Sequence, residues 1–407
     1  MMHIFFFLPF LFLMGCDMPP SDETALVFYD TPLSHPVHLF IRQDDHTFAP
    51  LENPYGVHLG IHRPFDLNPN TTHITQFETL VNHPHHLFTY ELSLGAFPSP
   101  IWLLEMVSNR RVPNLILTHH NLLDPFDQGA VYQLATHLGQ FHLPMLLHFF
   151  PHPNTHHYDP EQYLAFFKTA RQIFSELAPK VAFVFSIDQH DILDALAFYP
   201  GDAYVDWVGL SMLLPIHEGN SFDPYFLQRL EAFYFMFPSH QPKLLSVGIS
   251  HFTTQNHSYH LHAAGQLIEQ IYQKVLNNYP RIRAIVYQDF NHGHENFSVT
   301  ANQVVLHYYQ QAISDPRFTD ALFIPPEPHS GTLLLRSPFK GVQILDEVFI
   351  PKLSLVYDFD FAPDSLARAL SPHYLNDSAD VFYLLTDLQD LGLVIHLDAD
   401  KNSVVFG

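Results

Sequence analysis

Residues 144–187, PMLLHFFPHPNTHHYDPEQYLAFFKTARQIFSELAPKVAFVFSI, contain one complete strand–helix–strand unit. Two apolar runs, Pro144–Phe150 and Val181–Ile187, have the length of buried strands. Between them, Pro160–Glu176 carries aromatic and small residues at helical spacing, and Asp159 is the predicted N-cap. Parallel strands need such a helical crossover, so this unit predicts an α/β fold with a parallel sheet.

The same alternation continues on both sides of this unit, from about residue 55 to about residue 315. The predicted strands are Gly56–His62, Leu87–Ser93, Asn114–His120, Pro144–Phe150, Val181–Ile187, Asp206–Met212, Lys243–Ile249 and Ile282–Asp289. Eight strands, each followed by a helix or a long loop, predict a closed (β/α)8 TIM barrel. A doubly wound sheet is the alternative, but it usually has a Gly-rich first turn, and GIHRPFD at residues 60–66 is not one.

The chain changes character at a proline-rich break around residues 323–328. Beyond the break the apolar runs are short and alternate with turn residues, which is typical of strands. We therefore predict a barrel over residues 55–318 and a small β-rich C-terminal module over residues 319–407. Residues 16–54 contain Pro and Asp with little periodicity and are predicted to form a tether.

The charge of the chain restricts its partners. Its 407 residues include 18 Lys and Arg against 41 Asp and Glu, giving a formal net charge of −23. Nucleic acid needs a basic patch, so the composition argues against a nucleic-acid partner and favours neutral molecules such as sugars. Histidine is frequent, at 31 residues. These histidines are interpreted either as surface residues used in place of Lys and Arg or as groups that respond to pH.

The N-terminal residues have the pattern of a secretory signal. Residues 4–14 (IFFFLPFLFLM) form an apolar run that is too short to span a bilayer. The sequence Leu13-Met14-Gly15-Cys16 follows and resembles the lipobox of bacterial lipoproteins. The resemblance implies a signal peptide over residues 1–15, a lipid on Cys16 and an extracytoplasmic, membrane-anchored protein in the bacterial cell envelope. The start, Met1-Met2-His3, lacks the usual basic residue, and an uncleaved signal with a chance cysteine is the alternative.

Three segments of the barrel region resemble glycoside hydrolase family 26, the β-mannanases and related β-glucanases. They are LPMLLHFFPHPNTHHY (143–158), FYPGDAYVDWVG (198–209) and PRIRAIVYQDFN (280–291). The second is the most specific, because it closely follows the approach to the sixth strand of that family. The resemblance covers roughly residues 55–315 and implies the same barrel and a polysaccharide ligand.

The family cleaves β-linkages with two glutamates, an acid/base after strand four and a nucleophile at the end of strand seven. Aligned on these segments, the acid/base position holds His152, and the nucleophile position holds Val247, or Ser246 in the alternative register. Residues 128–158 and 232–268 contain no Asp or Glu, so a shift of one residue does not restore either carboxylate. The resemblance thus implies a pseudo-glycosidase that binds sugar. An active β-glycosidase with a rebuilt site, drawing on Asp188, Glu218 or Asp289, is the alternative.

Aromatic and polar residues are expected near the mouth of the barrel, where they could bind sugar. The candidates are His119, His148, Asn154, His157, Tyr158, Tyr287, Asp289 and Phe290. Aromatic faces stack on sugar rings, while amide and carboxylate groups bind hydroxyls. Phe149 and Phe150, together with Asp206 and Trp207, are interpreted as packing residues.

Histidines near strands three and four also suggest a metal site. Three imidazoles, from His119, His148 and His152, would suit zinc if they converged. The spacing is irregular and interrupted by prolines, so surface histidines are the preferred interpretation and no cofactor is expected. Three functions remain open: a non-catalytic glycan binder, an active hydrolase, and a structural envelope protein that acts as an interaction surface.

Overall fold

The computed structural model describes residues 28–29, 34–54, 56–63, 73–118, 127–156, 158–215, 222–238, 240–254, 258–318, 329–344, 347–352, 354–355, 370, 372–375, 381–390, 395–398 and 403–406. Its strands are β1 (Phe28–Tyr29), β2 (Ser34–Phe48), β3 (His58–His62), β4 (Leu87–Ser93), β5 (Val112–Thr118), β6 (Met145–Phe149), β7 (Val181–Asp188), β8 (Trp207–Leu214), β9 (Lys243–Ile249), β10 (Phe252–Thr253), β11 (Ser258–Tyr259), β12 (Ile282–Gln288), β13 (Asn291–His292), β14 (Glu295–Asn296), β15 (His329–Ile344), β16 (Glu347–Pro351), β17 (His373–Leu375), β18 (Val381–Leu384), β19 (Ile395–Asp398) and β20 (Ser403–Phe406). The helices are α1 (His73–Val81), α2 (Pro100–Asn109), α3 (Gln128–Gly139), α4 (Pro160–Leu177), α5 (Phe226–Met236), α6 (Leu261–Asn278), α7 (Gln303–Ile313) and α8 (Leu385–Asp390). Short 3₁₀ helices cover Ile192–Phe198, Asp202–Tyr204 and Val299–Ala301.

Eight parallel strands close into a barrel in the order β3-β4-β5-β6-β7-β8-β9-β12, with β12 pairing back onto β3. The predicted (β/α)8 barrel and its eight strands are confirmed, although β5 begins two residues before the predicted Asn114. The prediction succeeds because strands covered on both faces are continuous apolar runs. The predicted N-cap is also confirmed, since the Asp159 carboxylate accepts a hydrogen bond from the Gln162 N–H at 2.9 Å.

The lower half of the barrel interior is filled with apolar side chains, as expected for this fold. These inward-facing residues are Leu87, Leu146, Ala182, Val184, Trp207, Leu244, Ala284 and Val286. The Trp207 Nε1–H donates to the Pro50 carbonyl at 2.8 Å, and the Asp206 carboxylate accepts from Arg171 and from the Phe183 N–H. Asp206 and Trp207 are therefore packing residues, as predicted.

A second sheet contains eight strands in the order β1-β17-β18-β16-β15-β2-β20-β19. Most of them come from the C-terminal region, which confirms its β-rich character. The central strand β2 lies in the stretch that was predicted to be a tether, and that interpretation is wrong for residues 34–48. This strand pairs with β15 and β20, and Val37 and Leu39 are fully buried in the core of this sheet.

None of the helices in the described part of the chain combines the length and the hydrophobicity that a membrane span requires. Cys16 and the apolar run before it lie outside the described residues.

Candidate functional site

A cavity of about 470 Å³ opens at the carboxyl ends of the barrel strands. Every barrel strand, or the loop after it, contributes to its lining. The volume is typical of small-molecule sites, and active sites of this fold lie at this end of the barrel. The cavity is therefore the candidate functional site.

The cavity exists because small polar residues replace bulky apolar ones in the upper half of the barrel. Ser186 on β7, Ser211 on β8 and Ser246 on β9 all line it. On the opposite side of the barrel, Thr89 on β4 also lines it. Short hydroxyl side chains leave an open, hydrogen-bonding floor where other barrels pack branched apolar residues.

One side of this floor is a continuous chain of hydrogen bonds across four strands. The Asn114 Nδ2 donates to the Thr89 Oγ1 at 2.9 Å, so the Asn114 Oδ1 is left to accept from the His148 Nε2 at 2.8 Å. The His148 Nδ1 then contacts the Ser186 Oγ at 2.5 Å. Burial lowers the pKa of His148 to about 3, so the ring is neutral at neutral pH. Its Nδ1 accepts a hydrogen bond from the Ser186 hydroxyl.

The other side of the floor is held by one amide. The Gln288 Nε2 donates to the Ser211 Oγ at 3.1 Å and to the Ser246 Oγ at 3.0 Å. These bonds fix the orientation of both hydroxyls. Two residues were proposed for the family nucleophile position, and of these only Ser246 lines the cavity. Val247 points away from the barrel interior and is fully buried in the core between the strands and the surrounding helices.

The loop after β6 carries two strained residues. Phe150 and His152 have left-handed backbone conformations, with φ of 49° and 62°, on either side of Pro151. Such strain in residues other than glycine is frequent at functional sites. The His152 N–H donates to the Ser186 carbonyl at 2.8 Å, and the residue lines the cavity. Burial lowers the pKa of His152 to about 4, against the opposing effect of Asp188.

Two carboxylates stand at the mouth of the cavity, and only one of them was a sequence candidate. Asp188 accepts hydrogen bonds from both the backbone N–H and the Nδ1 of His190, at 2.9 and 2.5 Å. Glu91, which the sequence analysis missed, lies at the inward position near the end of β4, 3.3 Å from the His62 Nε2. Burial raises the pKa of Glu91. The alternation Leu87, Thr89, Glu91 was the signal that could have identified it.

Aromatic contact with a ligand is available from one of the sequence candidates. Phe290 lines the cavity and packs edge-on against His62, with the ring centroids 5.0 Å apart. Both Phe149 and Phe150 are buried in the main core, as predicted.

Tyr287 and Tyr158 lie elsewhere than at the expected position. Tyr287 is fully buried on the outer face of β12, where it packs against Tyr309, because Gln288 takes the inward position. Tyr158 packs against Tyr163, outside the cavity lining. The expectation that Tyr287 stands at the barrel mouth is therefore corrected.

The side chains of Asn154 and Asp289 are engaged in hydrogen bonds within the protein. The Asn154 amide bridges to the β7 end, donating to the carbonyls of Asp188 and His190 and accepting from the Asp188 N–H. The Asp289 carboxylate is buried and accepts from the Thr300 hydroxyl at 3.2 Å. These contacts occupy the groups that were expected to bind sugar hydroxyls.

Three further candidates, His119, His157 and Glu218, lie outside the described residues. Within the described part of the chain, no three His, Cys, Asp or Glu side chains form a metal-binding group. The metal hypothesis is also weakened at His148, since Asn114 and Ser186 occupy both of its ring nitrogens.

Comparisons with known proteins support the fold. No family model and no curated protein matches the chain. Among solved structures, a modular endo-β-1,4-mannanase from Cellulomonas fimi, described with the glycoside hydrolase family 26 mannanases, superposes with a TM-score of 0.52 at 11% identity, covering 75% of this chain and 83% of that one. A double mutant of a Cellulomonas fimi endo-β-1,4-mannanase superposes with a TM-score of 0.50 at 12% identity, covering 69% of this chain and 78% of that one. An engineered protein superposes with a TM-score of 0.50 at 12% identity, covering 68% of this chain and 76% of that one. At these identities the chain is similar to family 26 mannanases in its (β/α)8 barrel fold.

Proposed function

We propose that the chain is a non-catalytic carbohydrate-binding protein that holds a β-glycan of the mannan or glucan type in the barrel cavity. The observation that carries this proposal is the floor of the cavity, where serine, amide and imidazole groups are held in fixed orientations beside Phe290. Sugars need such a combination of hydrogen-bonding groups and an aromatic surface. Two of the structural neighbours are endo-β-1,4-mannanases, and their activity points to the same class of ligand.

The positions of the missing carboxylates support binding without hydrolysis. Retaining hydrolysis needs two carboxyl groups about 5–5.5 Å apart. The sequence alignment assigns His152 to the acid/base position and Val247 or Ser246 to the nucleophile position, and none of these side chains is a carboxylate. The Ser246 hydroxyl accepts a hydrogen bond from Gln288. An imidazole can donate a proton, but an ordinary serine hydroxyl does not replace the carboxylate nucleophile.

Calorimetric titration of the purified full chain with β-1,4-linked mannan and glucan oligosaccharides tests this function. We expect saturable binding that Phe290→Ala weakens about tenfold, because an aromatic stacking contact contributes on the order of 1.4 kcal/mol. Tyr132→Ala is the matched control, since that exposed aromatic on α3 lies outside the cavity lining. Equal affinities for wild type and Phe290→Ala would contradict this site. If none of the oligosaccharides bound, the result would favour the alternative that the chain is a structural protein of the envelope.

A second candidate, a β-glycosidase with a rebuilt site, is supported by Glu91 and Asp188. Both carboxylates line the cavity, and the raised pKa of Glu91 suits a proton donor. They lie on strands other than those used by the family. If they act as a pair, Glu91→Gln abolishes the release of reducing ends, while Glu176→Gln, at an exposed position on α4, does not.

The proposed setting is the bacterial cell envelope, with a lipid on Cys16. The apolar run and the Leu13–Cys16 segment support this setting. Expression in a bacterium fed with labelled palmitate tests it. We expect label in the wild-type chain and none in Cys16→Ser, and equal labelling of the two would contradict the anchor.

A further inference from the structure

Three residues of the cavity floor, on adjacent strands, are arranged as a relay, in an order that carbohydrate binding alone does not require. Ser186 on β7, His148 on β6 and Asn114 on β5 are joined by hydrogen bonds of 2.5 and 2.8 Å. The order is hydroxyl, imidazole, amide. This is the arrangement of a nucleophile, its general base and the group that orients the base.

The direction of the hydrogen bonds fits that assignment. The Asn114 amide nitrogen is committed to Thr89, so its oxygen receives the His148 Nε2–H and fixes the tautomer of the ring. The unprotonated His148 Nδ1 therefore faces the Ser186 hydroxyl. All three side chains also line the cavity, so a ligand there can reach the Ser186 oxygen.

The other cavity serines provide an internal comparison. Ser211 and Ser246 line the same space, but their described partner is the Gln288 amide, which donates a hydrogen bond and cannot accept a proton. Among the described residues of the lining, Ser186 is thus distinguished from these two by its imidazole partner.

From this geometry we propose that Ser186 is an activated nucleophile for acyl transfer, acting on esters of short carboxylic acids such as O-acyl groups on a sugar. This activity goes beyond glycan binding and does not depend on which glycan is bound. A cavity of about 470 Å³ accommodates a small acyl ester.

The reaction is hydrolysis through an acyl-serine. The Ser186 Oγ attacks the carbonyl carbon while its proton moves to the His148 Nδ1. Burial disfavours the imidazolium in the free protein, but here it forms beside the negative tetrahedral oxygen and keeps its Nε2–H on the Asn114 oxygen. The tetrahedral adduct collapses, the bond to the alcohol breaks, and the departing alkoxide takes the proton from His148. Water then attacks the acyl group with His148 as base, which releases the carboxylic acid and restores Ser186.

The experiment is covalent labelling of the purified full chain with a fluorophosphonate, followed by peptide mass spectrometry. We expect one adduct on Ser186 and none on Ser211 or Ser246, with time-dependent release of p-nitrophenol from p-nitrophenyl acetate. Ser186→Ala should remove both signals, whereas Ser175→Ala, an exposed serine on α4, should leave them. An unlabelled wild-type protein, or an adduct on either of the other cavity serines, would overturn the proposal.

Variants of the two partners test the relay itself. His148→Gln should slow labelling at least about 100-fold, the usual contribution of a general base. Asn114→Leu should slow labelling, and Asn114→Asp should restore it, because a carboxylate also accepts the His148 Nε2–H and strengthens the base. A merely structural Asn114 would give equal labelling rates in the folded Leu and Asp variants, and that result would remove Asn114 from the relay.

Discussion

Gly209 on β8 faces Ser186 on β7 so closely that a Cβ atom at position 209 would lie 2.6 Å from the Ser186 Oγ. Real Cβ contacts are not this short, so any side chain here would displace the serine. The glycine therefore keeps the floor of the cavity open and leaves Ser186 aligned with His148.

Replacing this glycine tests the tight packing of the floor. We expect Gly209→Ala to lower the free energy of unfolding by about 1–3 kcal/mol, the usual cost of overpacking. Removing the Ser186 hydroxyl as well, in Gly209→Ala/Ser186→Ala, should recover most of that loss. Urea denaturation of the four proteins in this double-mutant cycle gives the coupling energy, and strictly additive effects would contradict the close approach.

A buried ion pair closes the lower end of the barrel. Glu52 binds Arg281 and lies 3.7 Å from Arg283, and the Glu52 and Arg281 side chains are 0% and 1% exposed. We expect Glu52→Gln to destabilise the fold by about 3–5 kcal/mol, because it leaves buried positive charge uncompensated. The exposed pair Arg42–Asp44 is the control, and Asp44→Asn should cost less than about 1 kcal/mol. Similar losses for both variants, measured by urea denaturation, would mean that Glu52 is not buried.

The histidines make the stability of the fold depend on pH. Seven of the histidines are buried among the described residues, so surface use does not account for these seven. Burial lowers the pKa of His58, His85 and His148 to about 3 and that of His62 to about 4. Above pH ~6.5 these histidines are neutral in both the folded and the unfolded state, so they do not reduce the free energy of unfolding. Below it the unfolded chain takes up protons that the folded protein resists, so stability is lost as the pH falls towards 4.

Each such histidine contributes up to about 1.4 kcal/mol per pH unit, so the four together contribute up to about 5 kcal/mol per unit between pH ~6 and ~4. Urea denaturation at several pH values measures this slope. His85→Gln should reduce the slope by up to about 1.4 kcal/mol per pH unit, which corresponds to one proton. His307→Gln, at an exposed position, should not change it. A free energy of unfolding that stays constant from pH 7 to pH 5 would show that these side chains are solvated.

The strand β2 provides a test of the second sheet. Leu39 is fully buried there, so Leu39→Ala should cost about 2–5 kcal/mol. Leu334 on the partner strand β15 is 55% exposed, and Leu334→Ala should change the stability by less than about 0.5 kcal/mol. Thermal unfolding followed by circular dichroism compares the two variants. If Leu39→Ala left the stability unchanged, residues 34–48 would be a tether and not a strand of the sheet.

The sequence predicts the barrel well because its strands are buried on both faces and separated by amphipathic helices. It does not predict β2, because Asp44 and Asp45 interrupt the apolar pattern and the main partner strand lies almost 300 residues away, at His329–Ile344. Strand pairing at that separation has no local signal. Residues 34–48 therefore looked like a linker.

The site was predicted only in part, because a shift of one residue moves a side chain to the opposite face of a strand. That uncertainty left Val247 and Ser246 as alternatives and put Tyr287 in the position that Gln288 occupies. The relay of Asn114, His148 and Ser186 spans three strands, so no short motif contains it. Glu91 was missed because its strand lies outside the segments that resemble family 26.

The most direct test of the carbohydrate-binding account measures binding and bond cleavage in the same sample. The full chain is incubated with β-1,4-mannan and β-glucan oligosaccharides, and bound sugar and newly formed reducing ends are quantified together. The account predicts saturable binding, weakened by Phe290→Ala, with no reducing ends above the protein-free control. Reducing ends that accumulate with the wild type and disappear with Glu91→Gln would contradict it.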